Sequence, residues 1–219
     1  TKLTSGWKNT ETYLIKKIEN DFQSAVKEDI SLEKIKEYSP FHWVIEFPRV
    51  FQDGGFDIAI GNPPWDKVKA ERTDFFPRYD EVFRARSDKE KDTVQSDLLA
   101  DAEIEEEWEQ YQSDIDLESD YYKESPTYSL QNAVVDGRTL SGDQEKSTLF
   151  LERLFSLIQD DGYVAQLFPG ILFIFFSNKS LRYHLLDNAD GQHIVGIEHN
   201  NIFNSIDNRK KFAIVNFKA

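Results

Sequence analysis

The sequence predicts an α/β fold with a doubly wound sheet. Two short apolar runs, 56–61 and 163–168, are bounded by glycine and turn residues and read as strands. Segments with apolar residues at three- and four-residue steps lie between them and read as helices. Both strands lead directly into proline-containing turns, Asn62-Pro63-Pro64-Trp65 and Pro169-Gly170. In an open α/β sheet, the carboxyl ends of the strands form the edge where ligands bind.

Each element follows in chain order. Residues 12–38 read as helix, because Leu14, Ile15, Ile18, Phe22 and Val26 recur at helical spacing with charges between them. A second short helix is expected to begin at Asp29 or Ser31. Residues 39–51 are aromatic and carry Pro40 and Pro48, which reads as buried irregular chain, punctuated by Gly54-Gly55. The run 56–61 reads as a parallel strand covered on both faces. Residues 66–124 hold 20 acidic and 9 basic side chains, half of the acidic total. Within them, 101–110 is strongly helical by propensity, with Ile104 and Trp108 on one face. This stretch is expected to be an inserted helical cover whose carboxylates are mostly solvated.

Residues 127–142 are turn-rich and expected to be mobile. A helix opens at Ser147 and runs to Leu157 or Ile158, where Asp160-Asp161-Gly162 stops it. The strand 163–168 follows, then a helix over 178–186 and strands at 193–198 and 211–217. The expected organisation is therefore an N-terminal helical segment (1–38), the approach and strand with its turn (39–65), an acidic insertion with a loop (66–142) and a C-terminal α/β part (143–219).

Composition limits the function. The 219 residues include 17 Phe, 9 Tyr and 4 Trp, and 39% are hydrophobic, which excludes disorder throughout. With 40 acidic and 26 basic residues the net charge is -14. That sign opposes a surface wholly given to phosphate backbones but leaves room for a local site. The absence of cysteine rules out disulfides, zinc–thiolate sites and a thiol nucleophile. No apolar run reaches a membrane-spanning length, and 167–176 is broken by Pro169 and Gly170. The polar opening TKLTSGWKNTET is no secretory leader, and a cytoplasmic location is expected. Methionine is absent even at position 1, so the sequence reads as a piece of a longer protein.

The sharpest motif is Asn62-Pro63-Pro64-Trp65. Two prolines end any strand ladder and fix a rigid extended turn. The Asn62 carboxamide oxygen and the Pro63 carbonyl can accept both hydrogens of an exocyclic amine. That would turn the nitrogen lone pair out of ring conjugation and towards an electrophile. Trp65 offers a face for stacking a flat base. Such a turn also suits other planar amines and amides, on RNA or protein.

These residues, with others along the chain, resemble the Eco57I-like family of N6-adenine-specific DNA methyltransferases of restriction-modification and phage defence. Pro40-Phe41-His42-Trp43, Glu46-Phe47-Pro48, Val50-Phe51 and Gly54-Gly55-Phe56-Asp57 resemble the family's approach to its catalytic strand. Trp65 stands where Tyr or Phe is commoner. Leu149-Phe150 with Glu152, Gly162-Tyr163-Val164 and Pro169-Gly170 resemble the next helix and strand, and 203–212 the loop before the last strands.

The resemblance implies a partial Rossmann-like class I methyltransferase sheet, S-adenosyl-L-methionine as cofactor, and double-stranded DNA with a flipped adenine as partner. It implies that Asn62 and Pro63 hold the amine, with Pro64 completing the turn, and that Trp65 stacks on the base. Phe212 or Lys211 would pack on its other side, with Phe212 also readable as strand core. The family's glycine-rich cofactor loop has no counterpart here: Gly54-Gly55 precedes the wrong strand and Gly6 stands alone. Glu145 and Ser147 stand where members carry Asn and Tyr. A recognition domain is expected elsewhere in the parent chain or in a partner subunit, and this piece alone is expected not to methylate. A non-catalytic interaction module derived from a methylase is the alternative.

Other polar residues read more plainly. His42, His184, His193 and His199 lack metal-ligand spacing. Asp97, Asp101, Glu105 and Glu109 read as a solvated helix face, and no metal site is expected. Asp57 reads as local support for the turn. Arg182, Arg209, Lys210 and Lys211 are the cationic candidates for phosphate contact.

Overall fold

The computed structural model describes residues 41–132, 134–135, 137–139, 144–198 and 211–219. The helix expected over 12–38, and Arg209, Lys210, His199 and most of the 203–212 loop, lie outside the described residues. The chain divides into two compact units, one formed by Thr1–Lys67 with Tyr121–Ala219 and the other by Val68–Asp120.

The first unit is built on a four-stranded sheet of order β1-β4-β6-β5. Its strands are β1 (Phe56–Gly61), β4 (Ile158–Pro169), β5 (Asp190–Glu198) and β6 (Lys211–Lys218). Only β1 and β4 run parallel; β6 is antiparallel to both β4 and β5. The fold is mixed α/β, as expected, and the sheet among the described residues is mostly antiparallel, with the 56–61 strand in the parallel pair. β6, the last strand in sequence, lies between β4 and β5 and runs opposite to both.

Register explains the core. Val164 lies beside Ala59 and Phe217, Gln166 beside Gly61 and Val215, and Phe168 beside Ala213, all on one face. Two helices cover that face: α6 (Lys146–Leu154) and α7 (Lys179–Asn188). Leu151, Leu154, Leu181 and Leu185 from these helices join Val164, Phe168, Val215 and Phe217 in one buried cluster. At helical spacing those leucines form the apolar stripe that a sheet face requires.

The opposite face differs from expectation. Ile58 pairs with Tyr163, Ile60 with Ala165, and Leu167 with Ile214 and so with Val195. Ile58, Ile60, Tyr163, Val195 and Ile214 are all exposed, Ile60 to 80%. Among the described residues β1 is the end strand of the sheet, and the exposure of Ile58 and Ile60 corrects the reading of a strand buried on both faces.

Three local differences have clear causes. Residues 39–51 are not buried irregular chain over their described part: α1 (Trp43–Glu46) and α2 (Pro48–Gln52) are short helices without buried residues. Their rings instead cluster beside β1, with Trp43, Phe47 and Phe51 each within 5.6 Å of Phe56 between centroids. β4 begins at Ile158, five residues before the expected start, and carries Asp160-Asp161-Gly162 inside it. Phe56 pairs with Ile158 but Ile58 with Tyr163, so the triplet forms a bulge, with Asp161 at φ 70°. Finally, the Pro126–Gln131 3-10 segment is tied to α6 rather than loose, as the next section describes. A short hairpin, β2 (Val134–Val135) and β3 (Arg138–Thr139), follows it.

The second unit contains α3 (Arg72–Phe75), two 3-10 turns, α4 (Asp88–Leu98) and most of α5 (Ala102–Glu124). Ser87 and Glu90 form a capping box that starts α4. Phe75, Phe76 and Phe83 are fully buried, and Ile104, Trp108 and Tyr111 of α5 pack against them. The helix face shared by Ile104 and Trp108, expected from their four-residue spacing, is the one that packs on this aromatic cluster. No helix among the described residues is long and apolar enough to cross a membrane.

Candidate active site

The turn Asn62-Pro63-Pro64-Trp65 leaves the carboxyl end of β1 and is fixed on both sides. Upstream, β1 is hydrogen-bonded to β4 in parallel register through Gly61, opposite Gln166. Downstream, the Lys146 amide donates to the Asp66 carbonyl at 2.9 Å, and Lys67 forms a bridge with Glu145. The start of α6 therefore holds the exit of the turn. Ser147 and Thr148 are buried there, and Ser147 Oγ donates to the Glu145 carboxylate at 3.2 Å.

Within the turn, Pro63 is buried while Asn62 and Pro64 are exposed. No hydrogen bond among the described residues engages the Asn62 carboxamide or the Pro63 carbonyl. Both acceptors are thus available to a ligand at a sheet edge. Trp65 is half-buried and lies against Phe212, with ring centroids 6.2 Å apart and planes inclined by 41°. Its Nε1 is buried without a hydrogen-bond partner. A buried donor left unpaired is rare and marks a place where a ligand acceptor would be favoured.

Phe212 is 4% exposed and sits in the sheet row of Pro169 and Ile197. The structure therefore brings Trp65 and Phe212 together as touching rings and does not leave a base-wide slot between them. Lys211 is turned elsewhere: its Nζ lies 3.7 Å from Glu198 Oε1 on the neighbouring strand, in an exposed pair. Its carbonyl accepts the Gly170 amide at 2.7 Å. A Cβ on Gly170 would stand 3.0 Å from that oxygen, so glycine permits β6 to approach the end of β4 here.

Arg182 also departs from its expected use. Its Nη1 donates to the Leu172 carbonyl at 2.9 Å and to the Phe175 carbonyl at 2.6 Å. The guanidinium clamps the backbone after β4 rather than standing free for phosphate. Asp57 plays a local part, accepting the Gln159 side-chain amide at 2.7 Å across β1 and β4.

Gln166 escaped the sequence reading, and Glu152 entered it only as part of the resemblance. Gln166 is 7% exposed, lies directly opposite Gly61, and has a buried Oε1 without a partner. Its signal was a lone amide within the apolar run of β4. Glu152 is 7% exposed on α6. One of its oxygens accepts the Leu130 amide at 2.8 Å and the other the Gln131 side-chain amide at 2.7 Å. Burial pushes its carboxyl above the ordinary range, outweighing these two hydrogen bonds. Glu152 is thus the tie that fixes the 3-10 segment to α6.

The described residues supply acceptors and aromatic surface but no glycine-rich cradle for a nucleoside or amino-acid cofactor. They do not fit S-adenosylmethionine by themselves.

Comparison with known proteins agrees with the motifs. Residues 3–100 match the family described as Eco57I restriction-modification methylase. A curated protein of Methanocaldococcus jannaschii, named "Putative type II restriction enzyme and methyltransferase", is 35% identical over 49 residues. That alignment covers 22% of this chain and 4% of the relative, so the chain spans a small part of that protein's length. Residues 3–100 are thus similar to the Eco57I restriction-modification methylases, the family that the motifs led us to expect.

Proposed function

We propose that this chain forms the amine-holding part of a DNA methyltransferase that modifies the N6 position of adenine, with S-adenosylmethionine as the methyl donor. The observation that carries the reading is the exposed Asn62 and the unengaged Pro63 carbonyl on a rigid turn at the sheet's carboxyl edge.

The two acceptors would take the two N–H hydrogens of the adenine amine. The nitrogen lone pair is then no longer shared with the ring and faces an electrophilic carbon. No ionised base is required at the outset, since the nitrogen sheds its proton after alkylation. Because the prolines fix the turn, little conformational freedom is lost when the amine binds. Trp65, half-buried and resting on Phe212, presents a surface on which a base extruded from the duplex can stack. The sheet is read as part of a Rossmann-like methyltransferase sheet, supported by the parallel β1–β4 pair and the helix α6 between those strands. The donor and the recognised DNA sequence would be held by elements other than those described.

The test is a genome-wide map of N6-methyladenine in cells expressing the full-length protein, beside the Asn62→Ala variant. Sequence-specific methylation that disappears in the variant is the expected result. No methylation in either strain, with both proteins folded and abundant, would sink the adenine reading and favour a non-catalytic module.

A further inference from the structure

The segment that follows β4 sends three large apolar side chains in succession into solvent. Ile174 is 65% exposed, Phe175 51% and Phe176 73%. Just before them, Leu172 is fully buried in the core and Phe173 packs against it. The segment is thus anchored at its base and bare at its tip. Arg182 fixes its backbone by donating to the carbonyls of Leu172 and Phe175.

Its position matters. β1 and β4 are parallel neighbours, so both strands deliver their chains to the same sheet edge. Asn62 follows Gly61, which pairs with Gln166, and the apolar segment begins just after Pro169 on that same strand.

Its charge matters as much. Residues 162–186 contain no aspartate or glutamate, in a chain with 40 acidic residues among 219. The fixed charges in that stretch are Lys179 and Arg182, both basic. On a protein of net charge -14, this is a stretch that a polyanion can approach without repulsion from its own side chains.

We propose that the tip 174–176 is a wedge that enters the DNA stack beside the target adenine and occupies space when that base is extruded. The proposal rests on the adenine reading above. Extrusion sacrifices stacking and pairing, and apolar side chains inserted at a base step are an established physical means of offsetting that loss. Lys179, close behind the tip in sequence, supplies charge for the neighbouring phosphate.

The experiment uses the full-length protein and a duplex carrying the site that the methylation map identifies. Wild type is compared with Phe176→Ser, Phe176→Leu and the triple change of Ile174, Phe175 and Phe176 to serine. Each is assayed on the intact duplex and on one with an abasic site opposite the target adenine, where extrusion is cheap. The expected result is a fall in kcat/KM of roughly 10- to 100-fold for the triple variant on the intact duplex, shrinking to about threefold on the abasic one. Phe176→Ser should fall in the same pattern, and Phe176→Leu should retain most activity. Equal losses on both duplexes, or no loss on the intact one, would overturn the wedge while the adenine reading stands. Wild type that methylates neither duplex would overturn the adenine reading and the wedge together. The side chains are exposed, so unchanged melting temperatures are expected, and Phe176→Ser alone decides the matter if the triple variant does not fold.

Discussion

Gly55 offers a direct test of how the turn at Asn62 is held. It stands immediately before β1 with φ 135°, and its amide donates to the Val50 carbonyl at 3.0 Å. In Gly55→Ala the new Cβ would lie 2.6 Å from the Leu157 carbonyl oxygen and 2.8 Å from the Gln159 nitrogen. A comfortable carbon–oxygen contact is about 3.3 Å or more, so the overlap is roughly 0.7 Å against backbone that cannot swing aside. The same Leu157 oxygen accepts the Phe56 amide at 2.9 Å, the first bond joining β1 to β4. The positive φ costs about 1–3 kcal/mol for a residue with a side chain. Overpacking adds about 1–3 kcal/mol. The sum, about 2–6 kcal/mol, is a large share of a typical stability of about 5–15 kcal/mol. Gly191→Ala is the control, because φ is 58° there but nothing lies within 4 Å of the added carbon. Urea unfolding followed by circular dichroism should show Gly55→Ala losing at least about 1 kcal/mol more than Gly191→Ala. Equal losses would refute the steric argument. Since the clash falls at the entry to the strand that carries Asn62, activity should fall with stability.

Two further changes probe the supports around the site. Because burial raises the Glu152 carboxyl above its ordinary 4.5, the folded protein keeps that proton after the unfolded chain has lost it. Its contribution to stability is therefore complete below the unfolded pKa and lost as pH rises through the folded value. Melting from pH 4 to 8 should show wild type weakening relative to Glu152→Gln as pH rises, and a constant difference would contradict this. Replacing Arg182 by methionine removes both donors to the Leu172 and Phe175 carbonyls. Leaving those acceptors unpaired should cost about 1–3 kcal/mol, with faster amide exchange over residues 171–178 as the signature. Unchanged exchange there would mean that Arg182 is not the clamp.

Much of the fold was legible because it depends on short-range pattern. The stripe Leu151, Leu154, Leu181 and Leu185 follows from helical spacing, and Ile104 with Trp108 announced the buried face of α5. Strand partners were not legible in the same way. An alternating run gives no information on whether its neighbour is parallel, so the strand expected at 211–217 could be found while its antiparallel direction could not. Asp160-Asp161-Gly162 carries every mark of a turn, yet the bulge uses the same tolerance for positive φ inside a strand. The turn at Asn62 could be found because two prolines dictate its shape locally. The Trp65–Phe212 contact and the burial of Gln166 arise from pairing between β1, β4 and β6, which are distant in sequence.

The outer strand β1 has one further consequence. Among the described residues no strand pairs with its outer edge, and Ile58 and Ile60 make the adjoining surface apolar. Such a strand is a template on which another chain can add a strand of its own. What opposes this is mutual repulsion between molecules of net charge -14. That repulsion fades as pH approaches the isoelectric point near 4.7, and it is screened at high salt. Self-association through β1 is therefore a colloidal property of this sheet, governed by charges that lie largely in another part of the chain.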